Sequence, residues 1–165
     1  MPRFKKILKE SLLSLLILGV ILNAMSYFRS PTFESKSDLK LNSVTISGHD
    51  TQSYERSGKP LLIHFWATWC PTCKLEASNI QRLSRHFNVL TVAVKSGSDA
   101  DIQEYLNENN LDFEVINDTN GILASRFKVP AFPTTFILNA QGAIAFSEVG
   151  YTSSIGLFAR MWWAQ

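Results

Sequence analysis

Apolar stretches of the kind that form buried strands recur along the chain after about residue 44. Two continuous apolar runs, residues 61–66 and 89–94, predict strands that are buried on both faces of a sheet. Shorter runs predict further strands at residues 44–46, 113–116, 134–138 and 143–146. The last two flank a turn at residues 139–142 that ends in glycine, so we expect them to pair as a hairpin.

Helical patterns separate these predicted strands. Residues 71–87 carry apolar side chains near helical spacing, at Leu75, Ile80, Leu83 and Phe87. Further helices are predicted at residues 99–109 and 122–127 and from residue 152 or 153 onward, with Trp162 and Trp163 on the packing face of the last. Strands that alternate with helices and end in a hairpin and a helix predict an α/β fold. We expect a central mixed sheet with helices on both faces.

The N-terminal region has a different pattern, an uncharged apolar stretch over residues 11–28. As a helix it would span about 27 Å, close to the roughly 30 Å thickness of a hydrocarbon core. Basic residues precede it at positions 3, 5, 6 and 9, which predicts a cytoplasmic N-terminus and an exported remainder. A cleaved signal peptide is the alternative, with Ala24-Met25-Ser26 as its weak cleavage signal.

This pattern divides the chain into three parts: an anchor at residues 1–29, a polar linker at 30–43 and a folded domain at 44–165. The uncleaved anchor predicts a single-pass protein of the inner membrane whose domain lies in the periplasm. The overall charge of +2 comes from the N-terminal region, and the mildly acidic remainder has no basic run. We therefore expect no nucleic-acid partner.

Candidate chemistry lies where the strand at residues 61–66 meets the helix at 71–87. Cys70 and Cys73 are three positions apart, which brings their sulfurs close enough for a disulfide on the first helical turn. The helix N-terminus favours a thiolate at Cys70, while Cys73 lies one turn inside, placed to attack a mixed disulfide. Pro71 suits the first helical position. The alternatives are an inert structural disulfide or a copper or zinc site, although no metal ligand set or cofactor is expected.

The residues around this pair carry a resemblance. Trp-Ala-Thr-Trp-Cys-Pro-Thr-Cys-Lys, residues 66–74, resembles the active-site signature of the thioredoxin superfamily. Residues 129–134 resemble its cis-proline loop, which implies that Pro133 is the cis residue and that the loop faces the cysteines. The resemblance implies that Trp69, Phe132 and Pro133 contact the substrate peptide.

Three features point within this superfamily to the membrane-tethered TlpA-like and ResA-like group and to copper-sensitivity-suppressor thioredoxins. They are the anchor, the additional helix at residues 99–109, and Glu76 three positions after Cys73. The resemblance implies a thiol-disulfide oxidoreductase that reduces exported, cysteine-containing proteins and is recharged by a transmembrane electron donor. Cytochrome c biogenesis and copper tolerance are the settings it suggests. A disulfide oxidase or isomerase, or a copper-handling binding module, is the alternative.

Four residues are expected to adjust this chemistry. Glu76 is either a solvated helix carboxylate or, as in ResA-like proteins, a proton acceptor for Cys73. His64 occupies the place of a buried aspartate of cytoplasmic thioredoxins. It is either a core histidine with satisfied hydrogen bonds or a proton relay to Cys73. The Pro71-Thr72 dipeptide between the cysteines differs from that of thioredoxin, which leaves the direction of electron flow open.

Overall fold

A five-stranded mixed sheet organises the part of the chain that our computed structural model describes, residues 41–165 together with Ser14 and Ile17. The strands are β1 (Leu61–Trp66), β2 (Asn88–Val94), β3 (Glu114–Asp118), β4 (Thr134–Leu138) and β5 (Ile144–Val149). Their order across the sheet is β3-β2-β1-β4-β5. β1, β2 and β3 are parallel, whereas β4 is antiparallel to β1 and forms the predicted hairpin with β5.

Helices cover both faces of this sheet, as the alternation of patterns predicts. They are α1 (Gln52–Glu55), α2 (Pro71–Ser84), α3 (Asp99–Glu108), α4 (Ile122–Arg126) and α5 (Ser154–Trp163). One core contains side chains of α2, α3 and α5, and the other contains Ala124 of α4 with Tyr54 of α1 packed against it. The mixed α/β architecture is therefore confirmed.

Strand β1 lies at the centre of the sheet, and all of its residues are buried. Because side chains alternate along a strand, Leu62 and Trp66 contribute to the core under α2, whereas Ile63 and Phe65 contribute to the opposite core. The same alternation assigns His64 to the α2 side, which is the side that contains Cys70 and Cys73.

The structure differs from the sequence prediction at the start of the domain. Instead of a strand at residues 44–46, a single antiparallel bridge joins Val44 to Asp50, and the predicted loop that follows contains α1. Leu41, in the predicted linker, is buried, and its backbone N–H donates to the Glu55 carboxylate at 2.8 Å. Packing of an apolar side chain and pairing of its backbone thus extend the folded region before residue 44.

Three apolar residues that were predicted to pack are instead exposed: Leu75 on α2, and Trp162 and Trp163 on α5. The buried face of α2 includes the polar residues Glu76 and Asn79. An apolar pattern alone could not identify this face, because these polar groups find hydrogen-bond partners in the segment before α5.

The predicted anchor at residues 11–28 lies outside the described residues except for Ser14 and Ile17, as do the segment 1–10 and most of the linker. The chain separates into two compact units, Met1–Ser30 and Pro31–Gln165. Within the residues that are described, no helix is both long enough and apolar enough to cross a membrane.

Candidate active site

The two cysteines form a disulfide at the N-terminus of α2. Cys70 is the N-cap residue of this helix, and its Sγ accepts the backbone N–H of Cys73 at 3.2 Å. The two Cα atoms are 5.3 Å apart, and Pro71 fills the first helical position with its ring exposed. After reduction, the Cys70 sulfur would lie where the helix dipole and free N–H groups stabilise a thiolate.

Two aromatic side chains, Trp69 and Phe132, lie beside this disulfide. Trp69 is 59% exposed, and its indole N–H donates to the backbone carbonyl of Lys95 at 3.1 Å. The Trp69 and Phe132 rings meet edge to face, with centroids 5.7 Å apart, and Phe132 also packs against the core that contains both cysteines. The Phe132–Pro133 peptide bond is cis, as the resemblance implies, and the Pro133 carbonyl accepts the N–H of Gly150.

The loop after β2 is hydrogen-bonded to the loop that leads to Cys70. Ser96 is buried, and its Oγ accepts the N–H of Thr68 at 3.1 Å while donating to the carbonyl of Val94. Neither Ser96 nor Lys95 was among the predicted site residues. The carboxyl ends of parallel strands meet at one edge of a sheet, so residues just after β2 were candidates to contact residues just after β1.

Glu76 lies one helical turn after Cys73 on the buried face of α2, and its side chain is fully buried. One carboxylate oxygen accepts the N–H of Thr152 at 3.1 Å, whereas Oε2 has no hydrogen-bond partner among the described residues. Burial raises the pKa of Glu76 to about 8. The hydrogen bond from Thr152 lowers this pKa, and the negative charge of Glu148 raises it by a smaller amount. Glu76 is therefore not a solvated helix carboxylate, and its protonated form predominates at neutral pH.

His64 is also buried, directly under α2. Its Nδ1 lies 2.9 Å from the Oγ1 of Thr135, its cross-strand neighbour on β4. Burial lowers the pKa of His64 to about 3, so the imidazole is neutral near pH 7 and a weak proton acceptor. These observations favour the core histidine over the proton relay.

A polar layer lies between α2 and α5, and it consists of Glu76, Asn79 and the ion pair of Glu148 with Arg160. Glu148 on β5 pairs with the Arg160 guanidinium at 2.7 Å. Asn79 donates to the Thr152 carbonyl and accepts from the Ser154 hydroxyl, which fixes α5 against α2. Sequence reasoning missed these residues, because nothing in the local pattern distinguishes them from solvated helix and strand positions.

A mixed α/β sheet, a Cys-Pro-Thr-Cys disulfide at a helix N-terminus and a facing cis-proline loop together define a thioredoxin-like thiol-disulfide oxidoreductase. Comparison with known proteins agrees. The chain belongs to the AhpC/TSA family, which its sequence matches over residues 30–147.

Individual relatives are of the same type. A thioredoxin-like protein of Haemophilus influenzae is 31% identical, with 99% of this chain and 98% of that protein aligned. The thiol-disulfide oxidoreductase ResA of Oceanobacillus iheyensis is 28% identical over 86% of this chain and 80% of its own length.

Solved structures give the same result. A secreted disulfide oxidoreductase of Mycobacterium tuberculosis, described as homologous to Escherichia coli DsbE, superposes with a TM-score of 0.65 and 26% identity. That superposition covers 77% of this chain and 98% of the other. StoA of Bacillus subtilis gives a TM-score of 0.64 at 25% identity, covering 73% of this chain and 94% of that one.

Proposed function

We propose that this protein is a membrane-anchored reductase of disulfides in exported proteins. The observation that carries this proposal is the buried, half-partnered carboxyl of Glu76 one turn after Cys73. A buried group that exchanges a proton with the resolving thiol is what the second half of disulfide reduction requires.

The reaction begins on the reduced form of the cysteine pair. The Cys70 thiolate attacks one sulfur of a client disulfide, a mixed disulfide forms, and the other client sulfur leaves as a thiolate. Cys73 then attacks Cys70, which releases the second client thiolate and restores the disulfide seen here. Two electrons pass to the client, and both client thiolates take up protons.

Cys73 must lose its proton before it can attack, and Glu76 suits this step. An ordinary thiol has a pKa near 8.5, and that of Glu76 is raised to about 8. A carboxylate whose pKa is raised to about 8 is a stronger base than an ordinary carboxylate, so it can accept a thiol proton at a smaller energetic cost. The fraction of ionised Glu76 increases as the pH approaches 8, and the rate of resolution should increase with it.

Trp69, Phe132 and Pro133 are the proposed contacts for the client peptide. The exposed indole and the adjoining phenyl ring offer an apolar surface beside the disulfide. Pro71 and Thr72 lie between the two cysteines, and we propose that they tune the reduction potential of the pair. His64 is buried in β1 and contributes to the core on the α2 side of the sheet.

Export and anchoring are part of the proposal. Anchoring is supported by the apolar stretch at residues 11–28, and export is supported by that stretch and by relatives such as the soluble secreted antigen MPT53 of Mycobacterium tuberculosis. A reductase in this compartment consumes electrons, so a transmembrane donor must return the disulfide to its dithiol form. Apocytochromes c and proteins of copper tolerance are the client classes that we propose.

A trapping experiment tests this function. Replacing Cys73 with serine removes the resolving thiol, so the mixed disulfide between Cys70 and its client should persist. We expect covalent adducts on non-reducing gels that reductant releases and that the matched Cys70→Ser variant lacks. Adducts with one or two exported proteins would support a dedicated reductase, whereas a broad ladder would indicate a general oxidase or isomerase. Absence of any adduct would contradict the function.

A further inference from the structure

The ion pair of Glu148 with Arg160 lies on the same side of the sheet as Glu76. Glu148 on β5 is the cross-strand neighbour of Thr135, and Thr135 is the cross-strand neighbour of His64 on β1. Directly paired residues of neighbouring strands point to the same face of a sheet, so all three side chains face α2. The Nε of Arg160 donates to the Glu148 carboxylate at 2.7 Å. The negative charge of Glu148 is near enough to act on Glu76.

The backbone of α5 holds the Arg160 guanidinium from its other side. Its Nη1 donates to the carbonyl oxygen of Gly156, one helical turn earlier, at 3.0 Å. A Cβ atom at position 156 would lie 2.9 Å from this Nη1, which is closer than side chains approach one another. Glycine inside a helix costs stability relative to alanine, and Gly156 has no positive φ that would require it. The missing side chain instead leaves the space through which the guanidinium reaches Glu148.

Opposite charges face Glu76 from β5 and α5 alone. The titratable groups on the elements around it are His64 on β1, Glu148 on β5, Tyr151 before α5 and Arg160 on α5, besides Cys73 on α2 itself. β2 and β4 contain no titratable residue. Because His64 is neutral near pH 7, Glu148 and Arg160 are the charged groups around Glu76 in the oxidised protein at that pH.

This ion pair affects how readily Glu76 ionises. In the proposed resolution step, the Glu76 carboxylate is the base that accepts the proton of the Cys73 thiol. An ionised Glu76 near an uncompensated Glu148 would place two negative charges in a buried layer, where their repulsion is strong. The guanidinium of Arg160 offsets the charge of Glu148, and it keeps its own charge throughout the working pH range.

We propose that Arg160 is a positioning residue for the resolution step: it compensates Glu148 from the space beside Gly156 and thereby allows Glu76 to ionise. The ion pair then sets the pH range in which Cys73 can lose its proton and release the client. This inference rests on the proposed role of Glu76 as a base and adds to it the groups that regulate its ionisation.

The test follows resolution in the reduced full chain, in detergent micelles, with dithiobis(nitrobenzoate) as the disulfide. Attack by Cys70 releases one coloured thiolate, and attack by Cys73 on the mixed disulfide releases the second, so stopped-flow absorbance resolves two phases. We expect the second phase of wild type to accelerate with pH through a midpoint. The first phase should change little in the variants below, because the ion pair acts on the resolving thiol.

Opposite single substitutions should move this midpoint in opposite directions. Arg160→Met should shift it to higher pH by about one unit, which slows resolution at pH 7 roughly tenfold. Glu148→Gln should shift it to lower pH, and E148Q/R160M, which removes both charges, should return it close to that of wild type. Arg160→Lys retains the charge and should restore most of the rate. Gly156→Ala displaces the guanidinium without changing any charge, and it should shift the midpoint to higher pH.

Arg82→Met is the matched control, because it removes an exposed arginine of α2 and should leave both phases unchanged. Gly156→Ala keeps the inference testable if Arg160→Met does not fold, since alanine favours the helix. A midpoint that Arg160→Met and Glu148→Gln leave in place, or move in the same direction, overturns this inference.

Glu76→Gln separates this inference from the proposed role of Glu76. If the midpoint persists in Glu76→Gln, Glu76 is not the base, and both the role and the inference are contradicted. If the midpoint disappears in Glu76→Gln but does not respond to Arg160→Met, Glu148→Gln or Gly156→Ala, the base is confirmed and the inference alone is overturned.

Discussion

The buried carboxyl of Glu76 should make the stability of the protein depend on pH in a defined direction. Its pKa is raised from 4.5 to about 8 in the folded protein, so the folded state holds a proton that the unfolded state releases above pH 4.5. Stability is therefore full below pH 4.5 and is lost as the pH rises toward 8. At 1.36 kcal/mol per pKa unit, the loss is about 5 kcal/mol at most.

The variant Glu76→Gln isolates this contribution, because glutamine resembles the protonated carboxyl and cannot ionise. We expect its free energy of unfolding to match that of wild type near pH 4.5 and to exceed it by several kcal/mol at pH 8. The assay is denaturant unfolding of the oxidised full chain in detergent micelles at intervals between pH 4.5 and 9.

The matched control is Glu104→Gln on the exposed surface of α3, which should leave the pH dependence of wild type unchanged. A stability difference between Glu76→Gln and wild type that stays constant over this range would refute the reasoning. It would mean that the carboxyl ionises in the folded protein as it does in the unfolded chain.

Three further predictions concern the surroundings of the disulfide. Ser96→Ala should slow disulfide exchange in a stopped-flow assay with a model disulfide, because Thr68 loses its hydrogen-bond partner, at a cost of about 1 kcal/mol in unfolding. His64→Leu should remove the part of the acid loss of stability that His64 causes between pH 6.5 and 3, so that unfolding free energy falls less steeply with pH than in wild type, and should not change the pH profile of exchange. Arg160→Met should raise the pKa of Glu76 further, because the Glu148 carboxylate then loses the positive charge that compensates it. Infrared titration of the Glu76 carboxyl would detect this shift.

Much of the fold follows from local patterns in the sequence. β1 and β4 match their predicted limits, since a proline directly precedes each strand and the turn residue Asn139 follows β4. The start of α2 follows from a cysteine N-cap and a proline at the next position. These signals are complete within a few residues, so they need no tertiary information.

The polar layer could not be predicted in the same way. Asn79 and Glu76 face inward on α2 because groups of the segment before α5, more than seventy residues away, satisfy them. Leu75 faces solvent for the complementary reason, since the inward positions of its helical turn are already occupied. A long-range hydrogen bond leaves no periodic signature, and only the folded chain shows which polar residues have partners.

Burial moves the pKa of Glu76 up and that of His64 down, and both shifts remove charge from the layer under α2 at neutral pH. The charged pair that remains there, Glu148 with Arg160, is self-compensating. A thiolate that forms at Cys73 during exchange would therefore be a new, uncompensated negative charge in a region of low polarity. Proton transfer from the Cys73 thiol to ionised Glu76 does not remove the buried charge, because it moves the charge from the carboxylate oxygen to the sulfur, so the charged state must be brief. When the Cys73 thiolate attacks Cys70, a neutral disulfide forms and the negative charge leaves on the client thiolate. Loss of the buried charge is therefore coupled to release of the client.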